Sequence, residues 1–431
     1  MPKRIVILGG GFAGIQAAVE LDRALGHSIE IEILLIGDQN YFLFTPLLPQ
    51  IASSNIDPRH IAQAIRDLRG ARRFRFLRAS VSSVDVDRRE VRTVSGPSKE
   101  LADSPITYDY LIVATGSRTD YFGIPGAREN TLDFKSLEDA VVLRERILDI
   151  CEHADHTRDD QLRRKLLTLV VVGGGYTGIE LITEWHDLLF GYVAKRYRGI
   201  RPGDIRLIVL EAGTDILRGV HPKLASHSRH RLARKDIEVR TNAPATRCFP
   251  GGVEIKGGES ISAEIVVWTA GVRAHPLVES LPGPHDRIGR SVVNESLQLE
   301  SHPEVFIAGD SAAATSASDP PRVAPVAIDH GRLAALNIVH QLRNERLESY
   351  RYVSKGMLVS LGMNYAVVNI GGIRLSGYFA WLFWNVVHLY KLVGFKKQLQ
   401  VAIDWLLGAV FTRDAAIVRR PRNCPYCGNA P

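Results

Sequence analysis

The stretch Ile5-Val6-Ile7-Leu8-Gly9-Gly10-Gly11-Phe12-Ala13-Gly14 decides the fold of this chain. Its four leading apolar residues predict a strand buried on both faces, and the glycines predict a tight turn. Apolar and small residues at helical spacing continue to Leu25, and a second apolar run covers residues 31–36. Strand, glycine turn, helix and strand in this order predict a parallel sheet whose first turn approaches a dinucleotide.

The same pattern recurs 164 residues later in the chain. Apolar residues 169–172 precede Gly173, Gly175 and Gly178, and the next apolar strand ends at Glu211. In each copy the first glycine makes the turn, the second lets backbone approach a pyrophosphate, and the third lets the helix pack on the strand. The sequence therefore predicts an α/β protein with two Rossmann-like domains, and two dinucleotides in one chain indicate hydride chemistry through a flavin.

An acidic residue at the end of the second strand of each copy is expected to bind ribose hydroxyls. Asp38 has this place in the first copy and Glu211 in the second. A carboxylate repels a 2′-phosphate, so the second copy is predicted to bind NADH rather than NADPH, and Arg218 is expected to lie too far along to change this. Glu180, in the first turn of the second helix, is either a carboxylate favoured by the helix dipole or a group beside the nicotinamide.

Basic charge is concentrated at the C-terminal end of the chain. The net charge is +7, but residues 351–431 contain ten Lys or Arg and two Asp, so residues 1–350 are nearly neutral. The same region contains 12 of the 32 aromatic residues. Because these form an apolar block and no nucleic-acid-binding motif accompanies them, we expect a membrane surface as the partner and no nucleic acid.

Two amphipathic segments are predicted in this region, at residues 375–394 and 399–411. Asn385, His388 and Lys391 recur at three-residue spacing on one face of the first segment. A helix with such a polar stripe is predicted to lie in the membrane interface rather than to cross the bilayer. The alternative is that both helices pack on the body of the protein or form a homodimer.

Four cysteines in a chain of this length are too few for a disulfide scaffold and favour a reducing compartment. No signal or transit segment is expected ahead of the first strand. Cys151 and Cys248 are interpreted as ordinary thiols, and no metal site is predicted from the rest of the chain. Cys424-Pro425-Tyr426-Cys427 has the spacing of a redox dithiol or of half a zinc site completed by a second chain, or it is a tail without a role.

With these motifs in order, the chain resembles the type II NADH:quinone oxidoreductases (alternative NADH dehydrogenases), which are flavoproteins similar to the pyridine nucleotide-disulfide oxidoreductases. The resemblance covers nearly the whole chain, and its family-specific parts are residues 40–48 and a tail that begins at Lys355. Thiol reductases and sulfide:quinone oxidoreductases are disfavoured because residues 42–50 contain no cysteine. The motifs that carry the resemblance are residues 9–14, 40–48, 114–116, 173–180, 268–272, 305–310 and 355–356.

The predicted domains are an FAD-binding domain at residues 1–120 and 285–345, an NADH-binding domain at residues 121–284 and a C-terminal membrane-associating region at residues 346–431. The resemblance implies that FAD is bound by Gly9, Gly11, Phe12, Ala13, Gly14, Asp38, Thr45, Pro46, Val81, Ala114, Thr115, Gly116, Gly309, Asp310, Ala327 and Lys355. It implies that NADH is bound by Gly173, Gly175, Tyr176, Thr177, Gly178, Glu180, Glu211 and Gly271.

The resemblance also implies catalytic roles for Glu180, Lys355 and Asp329. Lys355 would place a cation near the flavin ring, although spacing alone suggests an exposed lysine that opens a strand. The family usually has glutamines where this chain has Pro325 and Asp329. The side chain of proline makes no hydrogen bond, and an ionised aspartate can accept hydrogen bonds but cannot donate them. A quinone carbonyl therefore needs either Asp329 in its protonated form or His330 as its donor.

The sequence thus predicts an enzyme that oxidises NADH through FAD and passes two electrons to the quinone pool without pumping protons. We expect a peripheral, monotopic protein at the cytoplasmic face of the cell membrane, assembled as a homodimer. One alternative is an NADH-dependent reductase whose acceptor is the C-terminal dithiol or another protein. The other is a non-enzymatic flavoprotein that reports redox state.

Overall fold

The computed structural model describes residues 2–68, 73–95, 105–314 and 319–417 of the 431-residue chain. Cys424 and Cys427 therefore lie outside the described residues. The strands are β1 (Lys3–Leu8), β2 (Ile31–Gly37), β3 (Tyr41–Leu43), β4 (Ala62–Ala64), β5 (Arg75–Arg78), β6 (Ser80–Asp85), β7 (Glu90–Ser95), β8 (Ile106–Thr107), β9 (Tyr110–Val113), β10 (Ser117–Thr119), β11 (Leu132–Asp133), β12 (Thr168–Val172), β13 (Arg206–Leu210), β14 (Ile237–Arg240), β15 (Ala245–Phe249), β16 (Gly252–Ile255), β17 (Ser260–Ser262), β18 (Ile265–Trp268), β19 (Val272–Ala274), β20 (Ser291–Val293), β21 (Gln298–Leu299), β22 (His302–Ile307), β23 (Ala312–Ala314), β24 (Met357–Ser360), β25 (Ala366–Ile370) and β26 (Ile373–Gly377).

The helices are α1 (Phe12–Leu25), α2 (Leu48–Ala52), α3 (Ala127–Asn130), α4 (Leu137–His156), α5 (Asp160–Leu166), α6 (Tyr176–Leu188), α7 (Ala194–Arg196), α8 (Pro222–Ala233), α9 (Pro276–Glu279), α10 (Ala324–Leu342), α11 (Tyr378–Lys391) and α12 (Phe395–Val410). A π-helical turn follows α6 at Leu189–Val193, and short 3₁₀ helices occur at Thr45–Leu47, Pro58–His60, Ile65–Asp67, Pro202–Asp204 and Gly309–Ser311.

The chain divides into two compact units, each built from separate stretches of sequence. The first unit is Met1–Leu43, Ala62–Arg118 and Val272–Ser354, and the second unit is Phe44–Ile61, Thr119–Gly271 and Lys355–Pro431. The domain borders predicted from the sequence instead follow residues 120, 284 and 345. The tail shares a unit with the second glycine loop because its strands and helices pack on α2, α6 and α8 rather than forming a region of their own.

The first unit is organised around a six-stranded sheet in the order β21-β22-β9-β1-β2-β5. Its central strands are parallel, as predicted, and Leu8 of β1 aligns with Val113 of β9, which aligns with Ile307 of β22. Residues 5–8 are completely buried, which explains their uninterrupted apolar character. The carboxyl ends of these strands meet at one edge of the sheet, so the loops that follow them lie side by side.

The second unit is organised around a five-stranded, fully parallel sheet in the order β11-β18-β12-β13-β14. Val172 aligns with Leu210 on one side and with Trp268 on the other. The glycine loop after β12, the residue after β13 and the segment after β18 therefore share one edge. Both predicted dinucleotide-binding sheets are confirmed in their connectivity and strand direction.

The tail of the second unit is an antiparallel sheet of β24, β25 and β26 followed by α11 and α12, at the positions where two helices were predicted. Gly394, with a φ of 92°, ends the connection between these helices. One side of α12 is apolar and exposed: Leu399, Ile403, Leu406 and Val410 are 44–72% accessible. Among the described residues, no helix has both the length and the apolar character required to cross a membrane.

The polar stripe expected on the water-facing side of α11 lies elsewhere. Asn385 is only 7% exposed, and Nδ1 of His388 bonds to the carbonyl of Trp384 at 2.7 Å. Apart from Lys391, the exposed positions of this helix are large apolar or aromatic residues, including Phe379 and Val386. Asn385 and His388 thus face the interior of the unit, where His388 is hydrogen-bonded and stacked on Trp384, whereas Lys391 is exposed.

Candidate functional site

The first glycine loop has the shape that a pyrophosphate requires. Gly9 has a φ of 106°, and a Cβ there would overlap the carbonyl of Ala114, while a Cβ on Gly14 would overlap the carbonyl of Gly9. A Cβ on Gly11 would meet nothing within 4 Å. The outer glycines are therefore needed for close packing, and the middle one leaves open space at the start of α1. The backbone N–H groups of the first turn of α1 point into this open space. The loop therefore fits the diphosphate of FAD.

Three further residues predicted to bind FAD converge beside this loop. A Cβ on Gly309, whose φ is 69°, would lie 3.3 Å from Cβ of Ala13 and 3.4 Å from Cβ of Ala327. The neighbouring Asp310 is fixed because its carboxylate accepts a 2.7 Å hydrogen bond from Ser117. Small residues thus let three segments meet closely, with one oriented carboxylate at their edge.

The other residues of the first unit that were predicted to bind FAD have varied surroundings. Asp38 follows β2 and is exposed, and its carbonyl accepts a 3.1 Å hydrogen bond from Arg78. Phe12 packs edge-on against Phe42 with ring centroids 5.0 Å apart. Val81 lies half-buried in β6, and Thr115 and Gly116 follow β9 near Ser311, whose hydroxyl accepts from the N–H of Gly116 at 3.1 Å.

The second glycine loop repeats the geometry of the first. Gly173 has a φ of 117°, and a Cβ there would lie 2.8 Å from Cα of Ala270, while a Cβ on Gly178 would overlap the carbonyl of Gly173. Nothing lies within 4 Å of a Cβ on Gly175. Tyr176 and Thr177 are exposed at the start of α6. The open middle position therefore fits a second pyrophosphate, that of NADH.

Glu211 is held at the rim of this loop by backbone donors. Its carboxylate accepts hydrogen bonds from the N–H of Gly174 at 2.9 Å and from the N–H of Gly213 at 2.7 Å. Arg218 also donates to it at 3.1 Å. The expectation that Arg218 lies too far away was wrong, because the loop after β13 returns to the carboxylate.

Gly271 closes the same edge of the second sheet. A Cβ there would overlap the ring of Phe122, and the carbonyl of Gly271 accepts a 3.0 Å hydrogen bond from the N–H of Asp120. Phe122 has a φ of 52°, an uncommon value for a bulky residue, and a 2.9 Å bond from its N–H to the Asp120 carboxylate holds the turn. Glycine at 271 is therefore required by the ring that covers it.

Glu180 is the most strongly perturbed carboxyl of the predicted site. It accepts a 2.8 Å hydrogen bond from the backbone N–H of Ser360. The residue keeps some exposure, but its carboxyl is enclosed, and this burial raises its pKa to about 8, with the charge of Glu184 acting in the same direction. The hydrogen bond from Ser360 opposes this rise in the pKa, and the nearby indole N–H of Trp384 opposes it to a smaller extent, although its geometry is not that of an ordinary hydrogen bond.

Glu184, one helical turn after Glu180, forms a buried ion pair. It is 4% exposed, accepts a 2.7 Å hydrogen bond from the hydroxyl of Ser53 and lies 3.2 Å from the guanidinium of Arg413. Arg413 also donates to the carbonyl of Ser53 at 2.9 Å. Burial raises the pKa of Glu184 and Arg413 opposes that rise. The segment after α12 is thereby fixed to α2 and α6.

An aromatic cluster surrounds the buried side of α11. The ring of His388 stacks on Trp384 at 3.9 Å and approaches Phe44 edge-on at 6.2 Å. Trp405 of α12 lies 6.5 Å from Trp384 and donates its indole N–H to the side chain of Gln50 at 2.7 Å. Burial lowers the pKa of His388 to about 4, so the imidazole is neutral at physiological pH.

Thr45, Pro46 and Lys355, which were predicted near the flavin, belong to the second unit. Thr45 and Pro46 form the 3₁₀ helix that precedes α2, and Thr45 is exposed. Lys355 is exposed in the loop that leads into β24.

Pro325 and Asp329, which stand where the resembled family usually has glutamines, lie in the first turns of α10. Pro325 occupies a helix start, where its missing N–H is not needed. Asp329 is half-buried, and the adjacent His330 is buried with Nδ1 accepting a 3.3 Å hydrogen bond from the N–H of Gly309. Burial lowers the pKa of His330 to about 4. Its proton is therefore assigned to Nε2, which is buried without a hydrogen-bond partner.

Sequence reasoning did not identify Arg218, Ser360, Trp384 or Arg413 as parts of these sites. Ser360 contributes a backbone N–H, which no side-chain pattern reveals. Trp384 was recognised only as part of an aromatic block, and an indole N–H on the polar side of an amphipathic helix was the available signal.

Comparisons with known families agree with the order of these motifs. Residues 3–331 match the pyridine nucleotide-disulphide oxidoreductase family, and residues 354–414 match the NDH2 C-terminal domain.

Individual relatives are similar over most of their length. The chain is 35% identical to the type II NADH:quinone oxidoreductase NdhA of Mycobacterium tuberculosis, over 93% of this chain and 86% of that protein. It is 31% identical to the demethylphylloquinone reductase NdbB of Synechocystis, over 94% of this chain and 95% of that protein. The structure of NDH2 from Plasmodium falciparum in complex with NADH superimposes with a TM-score of 0.88 at 20% identity, covering 96% of this chain and 100% of that chain.

Proposed function

The chain belongs to the type II NADH:quinone oxidoreductases, within the pyridine nucleotide-disulphide oxidoreductase family. From this premise we propose which of its residues support the oxidation of NADH and the reduction of a quinone. The enzyme uses FAD and NADH and does not pump protons. When bound, FAD supplies the chemistry that accepts a hydride and releases two electrons. The chain itself has to bind and orient the two dinucleotides and to provide the proton that NADH does not.

The observation that carries this assignment is the enclosed Glu180 carboxyl, which is buried and held in place by the hydrogen bond from the N–H of Ser360. NADH gives up two electrons and one proton, whereas reduction of a quinone to a quinol takes two electrons and two protons. One proton per turnover must therefore come from the protein or the solvent. With its pKa raised to about 8, Glu180 holds a proton at neutral pH and is assigned as its donor.

The quinone is assigned hydrogen-bond donors other than the missing glutamines. His330 offers an Nε2–H that is buried without a hydrogen-bond partner. Asp329 is assigned to the acceptor side as well, where it would donate only when protonated. Lys355 is assigned to charge stabilisation of reduced FAD.

Membrane attachment is assigned to the outward side of α11 and α12. Phe379, Leu406 and Val410 are 67–78% exposed, and Lys396 and Lys397 open the second helix. Burying one such apolar side chain in lipid contributes about 1.5–3 kcal/mol, and each nearby cation adds about 1 kcal/mol on an anionic surface. These magnitudes support a monotopic location, which we place at the cytoplasmic face of the membrane.

A homodimer is proposed on a separate observation. The strand β26 is at the edge of its sheet, and its apolar residues Ile373 and Leu375 are 67% and 42% exposed. An apolar edge strand is a surface that a second copy can cover.

The function is tested by separating its two half-reactions. The purified FAD-loaded protein is reduced anaerobically with NADH and then mixed with a short-chain ubiquinone or menaquinone while the flavin absorbance is followed. We expect full reduction within one equivalent of NADH and reoxidation by quinone in the presence of detergent. Reduction without reoxidation by either quinone would contradict the acceptor, and the Cys424→Ser/Cys427→Ser variant would then test the dithiol alternative.

A further inference from the structure

The loop from Glu211 to Arg218 folds back on itself. A guanidinium nitrogen of Arg218 lies 3.1 Å from the Glu211 carboxylate although seven residues separate them in sequence. Leu217 adopts a φ of 50°, and its N–H donates to the carbonyl of Gly174 at 2.8 Å. Such a backbone conformation is uncommon for a residue with a side chain. It turns Arg218 back toward the second glycine loop.

Space for the guanidinium is provided by Gly213. A Cβ at this position would overlap the guanidinium group of Arg218. The Arg218 side chain is 68% exposed, whereas that of Glu211 is 13% exposed. A cation accessible to solvent therefore lies over a shielded carboxylate at the rim of the glycine loop.

We propose that Arg218 forms a latent subsite for a 2′-phosphate, which Glu211 keeps closed, so that this pair sets the preference for NADH over NADPH. The proposal rests on the assignment of Glu211 to the adenosine ribose of NADH. It adds a specificity-determining residue that the strand-end carboxylate alone does not provide.

Glu211 already makes most of the hydrogen bonds that a carboxylate can accept. A carboxylate can accept about four hydrogen bonds, and Gly174, Gly213 and Arg218 use three of them. A ribose hydroxyl can take the remaining position or replace Arg218. A 2′-phosphate carries a charge of about −1.5 to −2 and meets a pair whose charges nearly cancel, so the hydroxyl is preferred.

Removal of the Glu211 charge should change this balance. Arg218 would then be free to donate charge-assisted hydrogen bonds to the phosphate, and arginine suits phosphate because its guanidinium presents several donors in one plane. The backbone N–H groups of Gly174 and Gly213 would no longer be occupied by a carboxylate, which further favours an anion.

The test uses the FAD-loaded full-length protein and two fragments, 2′,5′-ADP and 5′-AMP, titrated by calorimetry. The variants are Glu211→Gln, Arg218→Gln and the combination of both. We expect Glu211→Gln to bind 2′,5′-ADP at least about tenfold more tightly than the unaltered chain. The combined variant should lose that gain, and 5′-AMP should show none. The kcat/KM for NADPH relative to NADH should follow the same order.

Two controls separate the cation from the fold of the loop. Gly213→Ala, combined with Glu211→Gln, should also lose the gain, because the added Cβ displaces the guanidinium without removing it. Arg229→Gln, combined with Glu211→Gln, should retain it, because Arg229 pairs with Asp215 outside the Glu211 network.

Two outcomes would overturn the proposal in distinguishable ways. If the combined Glu211→Gln/Arg218→Gln variant binds 2′,5′-ADP as tightly as Glu211→Gln alone, Arg218 is not the phosphate ligand, and the NADH site stands. If Glu211→Gln leaves the affinity for NADH unchanged, the ribose assignment is wrong and the proposal falls with it.

Discussion

The carboxylate of Glu180 and the backbone N–H of Ser360 are joined by a 2.8 Å hydrogen bond across 180 residues of sequence. Glu180 lies in the helix that follows the second glycine loop, and Ser360 ends the first strand of the tail. The carboxyl that is assigned to proton delivery is thus oriented by the same segment that leads to the apolar helices. Its environment, more than its identity, determines the charge that it carries at neutral pH.

Glu180→Gln should change the pH dependence of stability. The folded-state pKa of about 8 lies above the ordinary value of 4.5, so the folded protein binds the proton more tightly than the unfolded chain. The stabilising effect is complete below pH 4.5 and is lost as the pH rises toward 8, at up to about 1.4 kcal/mol per pH unit. The variant should lack this decline. Urea unfolding between pH 5 and pH 9 measures it, and parallel profiles for both proteins would contradict the raised pKa.

Trp384→Phe should shift the pH profile of quinone reduction. The indole N–H lowers the pKa of Glu180, so its removal should move the alkaline limb of the acceptor half-reaction upward by up to about one pH unit. Phenylalanine keeps the stacking surface for His388, which limits the structural change. Stopped-flow reoxidation of the reduced flavin at several pH values provides the measurement.

Trp405→Phe is the matched control for that variant, because its indole N–H donates to Gln50 instead. An equal shift in both variants would show that the effect comes from loosened aromatic packing, and the pairing of Trp384 with Glu180 would be rejected.

The sheets and both glycine loops could be predicted from the sequence because their causes are local. Four buried apolar residues followed by glycines specify a strand and a turn regardless of what lies elsewhere in the chain. The return of Arg218 to Glu211 could not be predicted, since it depends on the positive φ of Leu217 and on its hydrogen bond to Gly174.

The tail shows the same limit on a larger scale. Its two amphipathic helices were predicted from their spacing, but the direction of the polar side of α11 was not. Asn385 and His388 face inward, where the ring of Phe44 lies edge-on to His388, and Phe44 belongs to a distant segment that a helical wheel of α11 does not contain.

Phe379→Glu combined with Leu406→Glu should weaken membrane attachment. Both side chains are exposed and apolar, and each contributes about 1.5–3 kcal/mol when buried in lipid, so binding should fall at least tenfold for each. Co-sedimentation with vesicles of mixed anionic and zwitterionic phospholipids is the assay. Point substitutions are preferable to deletion from residue 375 onward, because deletion also removes the buried Trp384 and Arg413.

Ile29→Glu is the matched control for the membrane face, since Ile29 is 96% exposed in the first unit and remote in sequence from the tail. We expect it to sediment with vesicles like the unaltered chain. Undiminished vesicle binding by the Phe379/Leu406 variant would reject these helices as the anchor.

Arg413→Met should destabilise the second unit by about 3–5 kcal/mol, because it leaves the buried carboxylate of Glu184 without its cation. Glu184→Leu added to Arg413→Met should restore most of this loss. Intrinsic tryptophan fluorescence is a suitable signal in urea, since all five tryptophans belong to this unit. A double variant no more stable than the single one would show that Arg413 acts through contacts other than Glu184.

Asp329→Asn should change quinone kinetics more than NADH-driven flavin reduction. The amide adds N–H donors to this side chain, so quinone reoxidation should become faster or its KM lower, by roughly the tenfold that a typical hydrogen bond provides. Arg332→Gln, an exposed change in the same helix, is the control and should alter neither half-reaction. Because Asp329 precedes His330, whose Nδ1 accepts from Gly309, an equal effect on both half-reactions would indicate a disturbed FAD site. No effect on either half-reaction would remove Asp329 from the acceptor site and leave the Nε2–H of His330 as the remaining donor of the first unit.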